Sequence, residues 1–321
     1  MKAYLGIDIG SVSTNIVALD EKSKVIRGLY LRTRGQPVQA LLESMRQMVA
    51  QLPAGTRIMS AGATGSGRYL AGVIVGADAI KNEITAHAVA ATMVMPNVQT
   101  VLEIGGQDSK IIILRQGIVT DFAMNTVCAA GTGSFLDQQA SRLSIPITEF
   151  GHLALQSTIA VRIAGRCTVF AESDMIHKQQ MGHPVPDIIN GLCEALVRNY
   201  LNNVGKGKEI LPPIMFQGGV AANTGIVAAF ERALEMPVIV PEEHHIMGAI
   251  GAAQLAREEV RRTGQTRFKG FAITSLSYRT GSFECDGCPN ACEIAEIFED
   301  QRVIGRWGAR CPRWDIVEGE S

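Results

Sequence analysis

The stretches IDIGS (residues 7–11) and LEIGGQ (residues 102–107) decide the fold of this chain. In each stretch an apolar strand ends in an acidic residue, one further residue and a glycine. The first strand, residues 2–9, returns as a second strand at 15–19, and residues 101–104 return at 110–114. A strand–acid–Gly unit present in both halves predicts a duplicated α/β domain with a cleft between the copies.

The rest of the chain fits two such halves followed by an appendage. Apolar residues at helical spacing predict an amphipathic helix over 41–52, residues 128–204 are mostly helical in pattern, and 214–217 form a short buried strand. Residues 25–31 and 58–61 read as strands, and 245–259 as a Gly- and Ala-rich helix. We predict a first domain at 1–98, completed by the helix near 245–260, a second domain at 99–262, and a small separate Cys-rich, metal-binding module at 265–321.

Composition excludes several classes of function. A net charge of −1 and an aromatic content of 5% argue against nucleic acid as a partner. The apolar runs are short, and the first residues lack a signal-peptide pattern, so we expect no membrane span and a cytoplasmic protein. In a reducing cytoplasm, the seven cysteines favour metal binding or catalysis over disulfides.

Three Gly-rich turns follow apolar strands, and together they predict a nucleotide site. Each turn alone would be an ordinary tight turn, and neither a P-loop motif nor a dinucleotide-binding G-x-G-x-x-G motif is present. Asp8 is placed to hold hydrated Mg²⁺, whereas Gln107 and Asp108 are placed to orient an attacking water. The predicted ATP- or ADP-binding residues are Gly10, Ser11, Val12, Ser13, Thr14, Gly105, Gly106, Gly218, Gly219 and Asn223.

The three turns, in this order, resemble the phosphate and adenosine motifs of the sugar kinase, Hsp70 and actin superfamily. The likeness runs from residue 1 to about 260. It implies an α/β fold of two ribonuclease-H-like domains with ATP in the cleft. One departure is Glu103, which stands where this superfamily commonly has Asp.

Cys128, in NTVCAAGTG, and Cys167, in CTVFAES, each precede a predicted helix. A helix N-terminus favours the thiolate, which is the form that ligates metal. The alternative is that both are small buried apolar residues. A [4Fe–4S] cluster takes four thiolates, so two per chain would require a two-fold homodimer to supply the other pair.

The motifs GIDIGS, EIGGQD, NTVCAAGTG, CTVFAES and QGGVAAN occur in this order. This series resembles the activator components of 2-hydroxyacyl-CoA dehydratases and of ATP-dependent benzoyl-CoA reductases. The resemblance implies a homodimer that holds one [4Fe–4S] cluster between its subunits and receives electrons from ferredoxin or flavodoxin. ATP would drive their transfer to a partner iron–sulfur dehydratase or reductase. Asn15 departs from some relatives, which carry Lys there.

Four further cysteines form the pattern C-x2-C-x3-C followed by a distant Cys: Cys285, Cys288, Cys292 and Cys311. Such spacing is typical of a metal site, and we favour a second iron–sulfur cluster narrowly over Zn²⁺. This tail resembles the extension of activase-like proteins, including those paired with double-cubane cluster proteins. Cys193 lies in an apolar helical stripe and is predicted to pack in the core.

Two other functions fit parts of the sequence. A small-molecule kinase of the same superfamily would use the nucleotide loops and leave the cysteines structural. It would need a general base and an acceptor pocket, which no sequence motif supplies. A non-catalytic metal-binding scaffold would depend mainly on the tail cysteines.

Overall fold

The structure is a computed structural model and describes residues 1–125 and 128–314. The chain forms two compact units. The first contains Met1–Ala86 and the described residues from Gly248 onward, and the second contains His87–Met247. No helix in the described part of the chain is long and apolar enough to cross a membrane. The domain boundaries given above stay a prediction.

The first unit is built on a five-stranded sheet. Its strands are β1 (Lys2–Ile9), β2 (Ser13–Leu19), β3 (Val25–Arg32), β4 (Arg57–Thr64) and β5 (Ala79–Ile80). They lie in the order β3-β2-β1-β4-β5, with β1 antiparallel to β2 and parallel to β4. Helices α1 (Pro37–Gln51) and α2 (Arg68–Val75) pack against this sheet and bury its apolar side chains.

The second unit repeats this arrangement. Helix α3 (Glu83–Val94) leads to the strands β6 (Thr100–Ile104), β7 (Ser109–Arg115), β8 (Ile118–Asn125), β9 (Ile214–Gln217) and β10 (Val238–Ile239). Their order, β10-β9-β6-β7-β8, is that of the first sheet read in reverse, with β6 in the place of β1. The two hairpin turns close alike: Gly10 N donates to Ser13 O (2.8 Å), and Gly105 N donates to Asp108 O (3.0 Å). The predicted duplicated α/β fold is confirmed.

Between β8 and β9 the chain is mainly helical, as predicted. The helices are α4 (Gly133–Arg142), α5 (Ile147–Ala154), α6 (Thr168–Gln180) and α7 (Val185–Asn203), and α8 (Thr224–Leu234) follows β9. Helix α7 lies at the centre of the second core, where Tyr200 makes an edge contact with Phe230. Cys193 is fully buried there, and burial raises the pKa of its thiol to about 12, which confirms its packing role.

Helix α9 (Met247–Thr263) crosses the first sheet at close range. Two strand glycines make this approach possible, because a Cβ on Gly6 would overlap Ala249 O and a Cβ on Gly62 would overlap Ala252 O. The Gly- and Ala-rich composition of the helix, noted in the sequence, therefore matches glycines on the facing strands.

Replacing Gly62 by Val is expected to lower the free energy of unfolding by about 2–4 kcal/mol. The new side chain can be accommodated only if the backbone of α9 moves away from β4. Urea denaturation measures the change. The matched control is Ala54→Val, the addition of a branched side chain at an exposed turn, which should change stability by less than about 0.5 kcal/mol. Equal stability of the two variants would contradict the close packing.

The tail forms a sheet that the sequence analysis did not anticipate. Strands β11 (Tyr278–Glu284), β12 (Glu293–Glu299) and β13 (Arg302–Trp307) are antiparallel and lie in the order β11-β12-β13. Ile297 and Ile304 join the core of the first unit, and the ring of Trp307 stacks on Tyr69 of α2, with 6.4 Å between centroids. The tail is therefore packed into the first unit.

One buried carboxylate also secures the segment that leads into this sheet. Asp78 accepts hydrogen bonds from Ala61 N (2.9 Å) in β4, from Thr266 Oγ1 (2.8 Å) and from Arg267 N (2.6 Å). Three donors satisfy a side chain that is only 7% exposed. The chain after α9 is thus held to the edge of the first sheet.

Candidate functional site

The turn between β1 and β2 is held from one side by Thr33, just after β3. Thr33 Oγ1 donates to Gly10 O (3.1 Å), and its backbone N–H donates to Val12 O (2.8 Å). Its hydroxyl also lies 3.1 Å from that of Thr14. With these carbonyls engaged, the turn is fixed with Ser11 exposed, as a phosphate loop requires. The sequence analysis missed Thr33, whose partners lie about 20 residues away.

Asp8 is flanked by side chains from both neighbouring strands. Asn15 of β2 and Thr64 of β4 stand opposite it in the sheet register. Within the described residues, Asn15 Oδ1 and Thr64 Oγ1 are buried and have no hydrogen-bond partner. Buried polar atoms without partners are uncommon, and here they lie beside a carboxylate. This oxygen-rich set fits hydrated Mg²⁺ and phosphate, and Thr64 is a second residue that the sequence analysis missed.

The turn between β6 and β7 is bonded to the start of α4. Gly133 N donates to Gly105 O (2.9 Å), and both the N–H and the hydroxyl of Ser134 donate to Gly106 O (2.8 and 2.6 Å). Gln107 is exposed at the tip of this turn, and the Asp108 side chain is 32% exposed. The two predicted water-orienting side chains are therefore accessible on a turn whose backbone is fixed.

A buried cation lies beneath this second turn. Lys110 Nζ is 3.0 Å from Glu103 Oε2 and 2.9 Å from Asp108 Oδ2, and the lysine side chain is 2% exposed. Burial raises the pKa of Glu103, and the positive charge of Lys110 opposes part of that rise. Tyr200 of α7 donates its hydroxyl hydrogen to Lys110 O at 2.6 Å. Lys110 was not among the predicted site residues.

The third turn, after β9, has the geometry of a tight loop that begins a helix. Gly218 has φ +90°, a conformation that favours glycine, and its N–H donates to His244 O (2.8 Å). Asn223 caps α8 by accepting from Ile226 N (3.1 Å). Its Nδ2 is buried and lacks a partner among the described residues, so a polar donor is left over beside the predicted nucleotide residues.

Cys128 and Cys167 lie on loops that meet. Cys128 directly precedes a short 3₁₀ helix (Ala129–Gly131), and Cys167 directly precedes α6, so both occupy helix N-termini as predicted. Cys128 Sγ is 3.8 Å from Arg166 O, next to the second cysteine. Asn199 of α7 joins the two loops, because its Nδ2 donates to Cys128 Sγ (3.5 Å) and to Gly165 O (2.7 Å). Asn199 was not anticipated from the sequence.

Two exposed apolar side chains follow Cys167 at the start of α6. Val169 and Phe170, two and three residues after this cysteine, are 65% and 64% exposed. Exposed apolar groups of this kind mark interaction surfaces. Two half-exposed thiols within such a surface fit a cluster whose other ligands come from outside this chain.

Three of the tail cysteines, Cys285, Cys288 and Cys292, lie between β11 and β12, whereas Cys311 follows β13. Cys285 N donates to Cys292 O (2.8 Å), whereas Cys288 and Cys311 are exposed. Hydrogen bonds to Cys285 Sγ from Trp314 Nε1 (3.1 Å) and Gly287 N (3.4 Å) lower the pKa of that thiol. In the described ranges, no three or more His, Cys, Asp or Glu side chains are grouped so as to hold a metal ion.

Comparison with known proteins places these loops in context. The chain is 35% identical over 265 residues to the (R)-2-hydroxyglutaryl-CoA dehydratase activating ATPase of Acidaminococcus fermentans. The match covers 80% of this chain and 98% of that protein. The crystal structure of component A of that dehydratase superposes with a TM-score of 0.76 and 32% identity, covering 81% of this chain and all of the other.

A second solved structure is similar over the same region. The activator of the 2-hydroxyisocaproyl-CoA dehydratase from Clostridium difficile, with bound ADPNP, gives a TM-score of 0.74 and 31% identity. The match covers 82% of this chain and 97% of that protein. The sequence also matches the BadF/BadG/BcrA/BcrD ATPase family over residues 5–256, which include all three turns and both loop cysteines. The chain therefore belongs to the BadF/BadG/BcrA/BcrD ATPase family.

Proposed function

We propose that this protein is an ATP-hydrolysing electron-transfer component that reduces a partner iron–sulfur enzyme. One observation carries the proposal: the seven residues from Cys128 to Ser134 run directly from a candidate cluster ligand to the turn that holds Gly105 and Gly106. A change in that turn on nucleotide binding or hydrolysis would therefore reach Cys128 without passing through a flexible linker. This direct connection supports a mechanism in which the bound nucleotide alters the redox site.

The nucleotide roles follow from the geometry of the turns. The backbone of Gly10–Thr14 and of Gly105–Gly106 would bind phosphates, and the turn from Gly218 to Asn223 would contact the adenosine. Mg²⁺, when bound, supplies charge neutralisation of the phosphates. Asp8 would hold it through water, supported by the polar atoms of Asn15 and Thr64 beside it. Gln107 and Asp108 would orient the attacking water.

The redox centre in this proposal is a [4Fe–4S] cluster ligated by Cys128 and Cys167 of two identical subunits. Such a cluster supplies one-electron transfer at low potential. The two cysteines, the N–H donors at the helix N-termini and Asn199 would form half of its binding site. The apolar surface that carries Val169 and Phe170 supports a homodimer in which that half is completed by a second copy.

The names of the relatives indicate which class of enzyme would accept the electron. Because they are activators of 2-hydroxyacyl-CoA dehydratases, the electron acceptor of this chain would be a dehydratase or a reductase that itself carries iron and sulfur. A ferredoxin or flavodoxin would be the donor. The cluster that Cys128 and Cys167 would hold would supply one-electron chemistry. The single electron that it gives up would be the one that the acceptor takes up, with ATP hydrolysis as the coupled reaction.

Anaerobic purification followed by an electron-transfer assay tests the function. The expected protein is brown. Once it has been reduced with dithionite and freed of excess reductant, it should turn a colourless oxidised viologen of low potential blue only when MgATP is added. The same preparation should release phosphate. A colourless protein that converts ATP to ADP only when a small-molecule acceptor is added, and that transfers the γ-phosphoryl group to that acceptor, would instead identify a kinase.

We further propose that the four tail cysteines hold a second iron–sulfur cluster or Zn²⁺. Because Ile297 and Ile304 belong to the core of the first unit, removal of the tail is a poor test, and variants of the full chain are needed. A Cys288→Ser, Cys311→Ser variant alters two exposed thiols. Loss of about one zinc per chain would assign Zn²⁺, loss of several irons would assign a cluster, and unchanged metal content would refute the site.

A further inference from the structure

We propose that Lys110 is a positioning residue for ATP hydrolysis, and that it acts by holding the carboxylate of Asp108 in the orientation that the attacking water requires. The inference rests on the proposed function, in which the β6–β7 turn binds phosphates and Asp108 orients the water. It assigns a function to a side chain that would otherwise pass as an ordinary strand residue, since Lys110 lies inside β7.

The geometry gives this lysine two partners of different character. Glu103, directly opposite in the strand register, is buried, and its Oε2 lies 3.0 Å from the ammonium. Asp108 is partly exposed, and its Oδ2 lies 2.9 Å from the same ammonium. One buried cation therefore joins a fixed carboxylate in the sheet to a carboxylate on the turn.

Lys110 is itself held on its backbone side. Its register with Glu103 fixes one strand position, and the hydroxyl of Tyr200 donates to Lys110 O at 2.6 Å. The side chain is 2% exposed, so the packed surroundings leave little space for another rotamer. Asp108 is the most exposed of these three charged residues, so it has less packing around it than Glu103 or Lys110. Its ion pair with the ammonium is therefore the contact that would hold its side chain in place.

The charge balance adds a second reason. Two carboxylates and one ammonium give this cluster a net charge of about −1, whereas loss of the ammonium would leave about −2 beside the phosphates of ATP. The buried Glu103 would also lose its partner, which is strongly destabilising. Lys110→Met alone would therefore combine an effect on Asp108 with a general loss of stability.

The double variant Lys110→Met, Glu103→Gln separates the two effects. It removes the buried pair together, leaves Asp108 as the remaining charge of the cluster, and avoids an unpaired buried carboxylate. If Lys110 positions Asp108, kcat for ATP hydrolysis should fall by at least about 10-fold while KM for ATP stays within about 3-fold of the unmodified protein. Urea denaturation of each variant checks that the fold is retained.

A cycle with Asp108→Asn completes the test. In the Asp108→Asn background, the double substitution should lower kcat by less than about 2-fold further, because the carboxylate that Lys110 would position is already absent. A kcat within about 2-fold of the unmodified protein in the double variant, or a full additional loss in the Asp108→Asn background, would overturn the proposal. Absence of ATP hydrolysis in the unmodified protein would instead refute the proposed function on which it rests.

Discussion

Replacing Cys128 by Ala should lower the bound iron by about four atoms per dimer and remove the part of the brown colour that the bridging cluster contributes. The cysteine would supply one of only two thiolates that each subunit contributes, so its loss removes half of the ligands in a symmetric site. Ultraviolet–visible spectra and iron analysis of anaerobically purified protein measure the change. ATP-dependent reduction of the acceptor should disappear with the iron.

The chain offers a matched control in Cys193. This thiol is fully buried in the core beside α8, and its pKa is about 12, so it is neither accessible nor ionised. Cys193→Ala should keep the full iron content and the colour. An iron content that is unchanged in Cys128→Ala, or that falls equally in Cys193→Ala, would contradict the assignment of the cluster to the loop cysteines. Tail iron, if present, is identified separately by the Cys288 and Cys311 variant.

Asp8→Ala should abolish nucleotide turnover, with a fall in kcat of at least about 10²-fold, while the iron content stays unchanged. The carboxylate would be the ligand that holds hydrated Mg²⁺, and the neighbouring Asn15 and Thr64 carry no charge that could replace it. Phosphate release at saturating MgATP measures turnover, and iron analysis of the same sample monitors the cluster.

Asp121→Ala is the control for this variant. Asp121 is a half-exposed residue of β8 that pairs with Lys208 at the surface, and its loss should change kcat by less than about 2-fold. Loss of iron in Asp8→Ala would show that the nucleotide and cluster sites depend on each other for assembly. Normal turnover in that variant would exclude Asp8 as the magnesium-binding residue.

The parts of the site that could be predicted from the sequence are those with a local signature. The strand–acid–Gly turns and the cysteines before helices each occupy a few successive residues, so their geometry follows from backbone rules. Glu103 was noted only as a departure, although its role depends on the ammonium of Lys110 seven residues away. The likeness of the two halves extended further than the motifs showed, since all five strands repeat in order.

Residues that act across the fold gave no such signal. Asn199 lies 71 residues from Cys128, and it looks in the sequence like a polar position on an amphipathic helix. Thr33 and Thr64 are small hydroxyl residues at strand ends, where such residues are common. The tail sheet was missed because β11 is largely polar, and because the strand that contacts α2 is β13, which lies more than 200 residues after that helix.

The tail sheet covers apolar surface of the first unit, and this bears on the solubility of shortened forms of the protein. The match to the Acidaminococcus relative covers 80% of this chain, so about a fifth of the chain has no counterpart in it. Here Trp307 stacks on Tyr69 of α2, and Ile297 and Ile304 belong to the same hydrophobic core as Leu70 of that helix. A chain truncated to the relative's length would expose an apolar patch to solvent, and we expect it to self-associate. We therefore expect the tail to be required for the solubility of the whole protein, because it covers apolar surface of the first unit.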